Sequence, residues 1–175
     1  MYKLLKTFSR LPLAMIQSIA RGVGNLLFMS NSSAKRTTEL NLTAAYPELD
    51  EQQRNQLIKA SLKSQCMTYA ESIKVWGSSP EFALAQIKQV YNAEIFLNAL
   101  KNPNGCIGVV PHFGAWELMN AWINQHTHPV IMYKPSRNKD LDRFMLESRQ
   151  RLNATLVPTD DTGVRALFKH LKQGG

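Results

Sequence analysis

The spacing of apolar residues changes character partway along this chain. In the first half they recur at helical intervals; in the second, short apolar runs of strand length alternate with helical stretches. Pro47-Glu48-Leu49-Asp50-Glu51 reads as a helix start with Asp50 as N-cap, feeding Gln53 to Met67 and on through Tyr69, Ile73, Val75 and Trp76. Gly77-Ser78-Ser79-Pro80 stops it, and a short helix is predicted over Pro80 to Gln86. Val90 and Tyr91 make a brief extended piece before a helix over Ala93 to Leu100. The turn signal Asn102-Pro103-Asn104-Gly105 then opens the β-branched run Cys106 to Val110, which predicts a buried strand closed by Pro111. Helix Ala115–Gln125, strand Pro129–Tyr133, helix Lys139–Leu152, strand Ala154–Val157 and helix Thr162–Lys172 follow. That order predicts an α/β fold: a helical N-terminal region, then alternating βαβ units with right-handed crossovers around a mainly parallel sheet.

Charge changes the reading of the first thirty residues. The 175-residue chain carries a net charge of +8, and Lys3, Lys6, Arg10, Arg21, Lys35 and Arg36 face only Glu39 near the beginning. Among them lie Leu11 to Ile16, Ile19-Ala20 and Val23 to Met29, interrupted by Gln17, Arg21 and Asn25. A spanning helix needs roughly 18 or more apolar residues with few charges, and Arg21 breaks that condition. Residues 1–30 are therefore expected to form an amphipathic or obliquely inserted membrane-associating helix, its cations drawn to anionic headgroups. A core helix is the plain alternative. A signal peptide is disfavoured, because Pro12 and Arg21 interrupt its core. Nucleic-acid binding would also suit the charge, but no basic motif with interleaved aromatics is present.

Cys66 and Cys106 are expected to be small core residues rather than a disulfide framework. No phosphate-binding loop, dinucleotide fingerprint, zinc-ligand array, internal repeat or low-complexity tract is visible.

The chemistry concentrates in His112-Phe113-Gly114-Ala115-Trp116-Glu117. An imidazole at the carboxyl end of a strand and a carboxylate in the first turn of the next helix make a general base and its orienting acid. The carboxylate fixes the tautomer and stabilises the imidazolium. No serine or cysteine nucleophile is then required, since the substrate's own hydroxyl attacks. The competing reading is structural, with His112 bonded to a backbone carbonyl and Glu117 complementing the helix dipole. His126, His128 and His170 do not form a metal-ligand cluster with His112 at usual spacings.

The pair His112/Glu117, read as H-x-x-x-x-E, stands with Asn41-Leu42, Tyr46-Pro47-Glu48, Glu71 to Trp76 and Tyr133-Lys134-Pro135. Together these segments resemble the bacterial lipid A biosynthesis late acyltransferases of the lauroyl and myristoyl transferase type. The likeness runs the length of the chain; Ala115 departs from the Asn that many relatives carry, at a position outside proton transfer. The resemblance implies a glycerolipid-acyltransferase-like sheet. It also implies acyl transfer from an acyl-carrier-protein thioester to a hydroxyl of a lipid A precursor, with no cofactor, at the cytoplasmic face of the bacterial inner membrane. His112 would be the base, Glu117 its partner, and Arg149, Lys134 and Arg137 the substrate-binding residues. The expected partners are acyl carrier protein, the lipid A precursor and membrane lipids, with no nucleic acid.

Two further expectations attach to that resemblance. The helix over 162–172 ends in cations and Gly174-Gly175, and βαβ logic expects another strand next. Relatives continue with further strands and a D-Q motif, so the chain reads as a single acyltransferase domain truncated after its N-terminal portion, with 100–175 the catalytic βαβ part and the sheet incomplete. A glycerolipid, lysophosphatidic-acid-type acyltransferase is the alternative within the same chemistry; no F-P-E-G-T-R-like block supports it. An inactive remnant is the alternative outside it.

Overall fold

The computed structural model describes residues 1–174 and divides them into two compact units: Arg10–Lys74, and Met1–Ser9 together with the chain from Val75 onward. Helices predominate, with a small open sheet of two parallel strands, which is the expected α/β class.

The Arg10–Lys74 unit contains α2 (Leu13–Met29), α3 (Ser33–Ala45) and most of α4 (Glu51–Gly77). Pro12 separates α2 from the first helix, α1 (Tyr2–Ser9), so the single N-terminal helix expected over 1–30 is two. Proline has no N–H to donate, but its carbonyl starts α2 by accepting from Met15 N and Ile16 N. Ile16, Ile58 and Leu62 are sealed from solvent at the centre of this unit. Gly24 lets α2 close on α4, since a Cβ there would stand 2.7 Å from the Lys63 Cα. Gln17 Nε2 donates to Glu71 Oε1 at 2.8 Å, and Lys74 Nζ donates to the Leu11 carbonyl at 3.0 Å. Asp50 caps α4 as predicted: its carboxylate accepts from Gln53 N at 2.8 Å while Gln53 Oε1 accepts from Asp50 N at 3.1 Å, a reciprocal capping box. Among the described residues no helix is long and apolar enough to cross a membrane.

The other unit runs α5 (Pro80–Gln86), α6 (Ala93–Ala99), α7 (Glu117–Ile123), β1 (Val130–Tyr133), α8 (Lys139–Gln150), β2 (Thr155–Pro158) and α9 (Asp161–Lys172). Its strands pair in register Val130 with Thr155 through Tyr133 with Pro158, and α8 makes the crossover that parallel pairing requires. Asn138 and Asp160 cap α8 and α9 by accepting two backbone N–H bonds each. Gly163 has no Cβ because the Pro158 carbonyl occupies that space. Tyr133, Phe144, Ala121 and Val157 form the buried centre. Helix α1 lies on α8, with its Tyr2 hydroxyl donating to Glu147 and its ring 6.0 Å from that of Phe144. The helix stop after Lys172 is as read, with Gly174 left-handed; Gly175 of that signal lies outside the described residues.

One expected strand does not form. Residues 106–110 make no ladder with any described segment, and Ile107 and Val109 are 75% and 88% exposed. β-propensity describes a side chain that fits a half-buried pleated surface, and without a partner there is no such surface to fit. The helix after it starts at Glu117 rather than Ala115, so residues 105–116 are a loop whose turn at Gly114 has φ 57°.

Candidate functional site

Glu117 is the first residue of α7 and is 5% exposed. A carboxylate this deeply placed needs compensation, and it has two donors. Arg149 Nη2, near the end of α8, lies 3.1 Å from Oε1 in an ion pair. Asn120 Nδ2, one turn along α7, donates to Oε2 at 3.1 Å. The Asn120 contact was open to sequence reasoning, because positions three apart on a helix share a face.

Arg149 is itself confined. Its guanidinium stands 5.7 Å from the centre of the Tyr133 ring, within cation–π range, and its Nε is buried without a hydrogen-bond partner. Tyr133 closes β1 and donates its hydroxyl to Asp142 Oδ1, which also accepts from Ser136 N at 2.6 Å. Burial, and then the Asp142 carboxylate, push the Tyr133 phenol up to about 12, with Arg149 opposing the shift. Three elements, α7, β1 and α8, thus converge on one buried charge pair.

His112 stands apart from this cluster. It is exposed on the 105–116 loop, its ring 4.8 Å from that of Trp116, and among the described residues it makes no hydrogen bond or ion pair. The structure brings Glu117 together with Arg149, then, and does not bring His112 to either. Its placement is at a loop rather than at a strand's carboxyl edge, for the reason given above. Lys134 and Arg137 are exposed on the loop between β1 and α8, without a described ion pair. Among the described residues no group of three or more His, Cys, Asp or Glu side chains is arranged to hold a metal ion.

A cavity of about 20 Å³ adjoins Glu117, lined also by Ser78, Ser148 and Arg151. That is room for one water molecule among polar groups, far too little for an acyl chain. Arg151 Nη2 reaches the Ser78 carbonyl at 3.2 Å and closes one side.

Similarity to known proteins places these residues in context. The lipid A biosynthesis lauroyltransferase of Escherichia coli (strain K12) is 24% identical over 165 residues, covering 94% of this chain and 53% of that protein. The lipid A biosynthesis acyltransferase of Haemophilus influenzae (strain ATCC 51907 / DSM 11121 / KW20 / Rd) is 26% identical over 166 residues, covering 93% of this chain and 51% of that protein. The chain spans about half the length of these curated relatives. The model of the bacterial lipid A biosynthesis acyltransferase family matches residues 2–175, and the chain belongs to that family.

Proposed function

We propose that this chain carries the base and orienting acid of a lipid A acyltransferase, with His112 as the base and Glu117 as the acid. The observation that supports this most is a buried, fixed carboxylate five residues beyond an exposed histidine, in a chain whose family match begins at residue 2. Glu117 has spare acceptor capacity for the imidazole. A carboxylate offers about four lone-pair sites, and only one donor is seen at each oxygen. Loop 105–116, turning at Gly114, is the element that would carry His112 to it.

The reaction follows from those groups. The donor is the acyl thioester of acyl carrier protein, and the acceptor a hydroxyl of a lipid A precursor. His112 takes the hydroxyl proton as the oxygen attacks the thioester carbonyl, forming a C–O bond and a tetrahedral oxyanion. Collapse breaks the C–S bond, and the imidazolium returns its proton to the departing thiolate. Glu117 holds the imidazole tautomer and stabilises its charged form. Arg149 fixes Glu117, and Lys134 and Arg137 offer exposed positive charge to acceptor phosphates. No cofactor enters the sequence.

Work at the cytoplasmic face of the inner membrane accords with α2, where Met15, Ile19, Val23, Leu26 and Met29 are exposed on a helix that also carries Arg21. The test is mass spectrometry of lipid A from the native host with the gene deleted. Loss of one secondary acyl chain, restored by the intact gene and not by its His112→Ala form, is the expected result; an unchanged lipid A spectrum would refute the proposal.

A further inference from the structure

Arg149 is the only described cation on Glu117, and what holds Arg149 is therefore what holds the acid. Its guanidinium has two described supports, the Glu117 carboxylate and the face of the Tyr133 ring. That ring is 8% exposed and cannot turn freely. Its hydroxyl is tied to Asp142, on α8, and the same Asp142 oxygen takes the Ser136 N–H, so strand end, loop and helix are locked at one atom. Tyr133 is also Arg149's link to the sheet, because it is the last residue of β1 and stands in register with Pro158 of β2. The high phenol pKa is consistent with a hydroxyl that keeps its proton and remains a donor across the working pH range.

We propose that Tyr133 is a positioning residue for Glu117, acting through Arg149. The ring supports the guanidinium, the guanidinium fixes the carboxylate, and the carboxylate is then in place to orient an imidazole. This rests on the base-and-acid reading of His112 and Glu117 given above. It assigns to Tyr133 no contact with substrate and no proton transfer. It also separates the two parts of the tyrosine: the ring bears on Arg149, while the hydroxyl anchors the ring.

Two measurements on the intact gene product test it. The first is the NMR resonance of the Arg149 Nε–H, which feels the ring current of Tyr133 whether or not the enzyme turns over. Tyr133→Leu should shift it and speed its exchange with water, and Tyr133→Phe, which keeps the ring, should restore most of both. The second is kinetic: Tyr133→Leu should lower kcat by about tenfold or more with KM within about twofold, and Tyr133→Phe should recover most of kcat. A purely structural tyrosine would lower the amount of folded protein and leave kcat per folded molecule alone. An Arg149 resonance unmoved in Tyr133→Leu, or a kcat within about twofold of wild type, overturns the proposal. His112→Ala, assayed alongside, tests the reading beneath it: transfer that survives that change removes the base assignment, whereas the Arg149 resonance reports on Tyr133 independently.

Discussion

Arg149 and Glu117 are 32 residues apart in the chain and 3.1 Å apart in space, their side chains 15% and 5% exposed. A pair so placed is costly to break from one side. Removing Arg149 leaves a 5%-exposed carboxylate with Asn120 as its one described donor, and such losses run to about 3–5 kcal/mol. Arg149→Met should therefore destabilise the protein by roughly that amount in urea unfolding, while Glu117→Leu combined with Arg149→Met should cost less than the two single changes together. Additivity of the three variants would show that the contact is energetically idle.

His112 should behave oppositely. Its ring is exposed and has no described polar partner, so His112→Ala should leave the melting profile within about 0.5 kcal/mol of wild type. Acyl transfer should fall by roughly 10²–10⁴, the span a general base supplies. A variant that unfolds early would mean that the histidine supports the loop rather than the chemistry.

The two interior glycines of α2 give a matched contrast. Nothing lies within 4 Å of a Cβ added at Gly22, whereas at Gly24 it meets the Lys63 backbone at 2.7 Å. Gly22→Ala should stabilise by about 0.5–1 kcal/mol through helix propensity. Gly24→Ala should destabilise by about 1–3 kcal/mol, because the clash with α4 outweighs the same gain. Denaturant titration of both decides it, and a stabilising Gly24→Ala would show that α2 and α4 can separate at no cost.

Tyr133 predicts how stability responds to alkali. Its phenol is pushed from the ordinary 10.0 up to about 12, first by burial and then by Asp142. Below pH 10 the group is protonated in both folded and unfolded chains and contributes no slope. Between about 10 and 12 the unfolded chain gives up the proton first, so stability falls as pH rises; above 12 the slope vanishes. Tyr133→Phe should flatten that window in chemical unfolding measured at fixed pH values. An equal slope in both proteins would assign the alkaline loss to other groups.

Much of the fold was legible because its signals are local. Asp50 and Gln53 announce the start of α4 within one turn, and α8 begins at Lys139, where its pattern predicts. Pro80 to Gln86 is a helix over the residues its pattern predicts. The strand expected over 106–110 failed because a strand is a relation between segments, and an apolar run cannot say whether a neighbour will be there to pair. The candidate site divides along the same line. Both His112 and Glu117 stand out in the sequence by type and spacing. The junction of Glu117, Arg149, Tyr133 and Asp142 does not, since it depends on how α7, β1 and α8 bring distant side chains together. Arg149 drew notice only as a basic residue in a family-like segment, and Asp142 drew none.

The division at Pro12 has a consequence in time. Residues 10–74 form one continuous stretch, so that unit has all its parts once Lys74 has left the ribosome. Helix α1 is made before it but belongs with α8, where Tyr2 meets Glu147 across 145 positions of sequence. At about 5–20 residues per second, α1 waits several seconds or longer for α8. Throughout that interval the Tyr2 ring lacks the Phe144 ring it packs against in the finished unit. A chaperone or a nearby bilayer that engages the emerging chain in that interval would meet α1 without its partner helix.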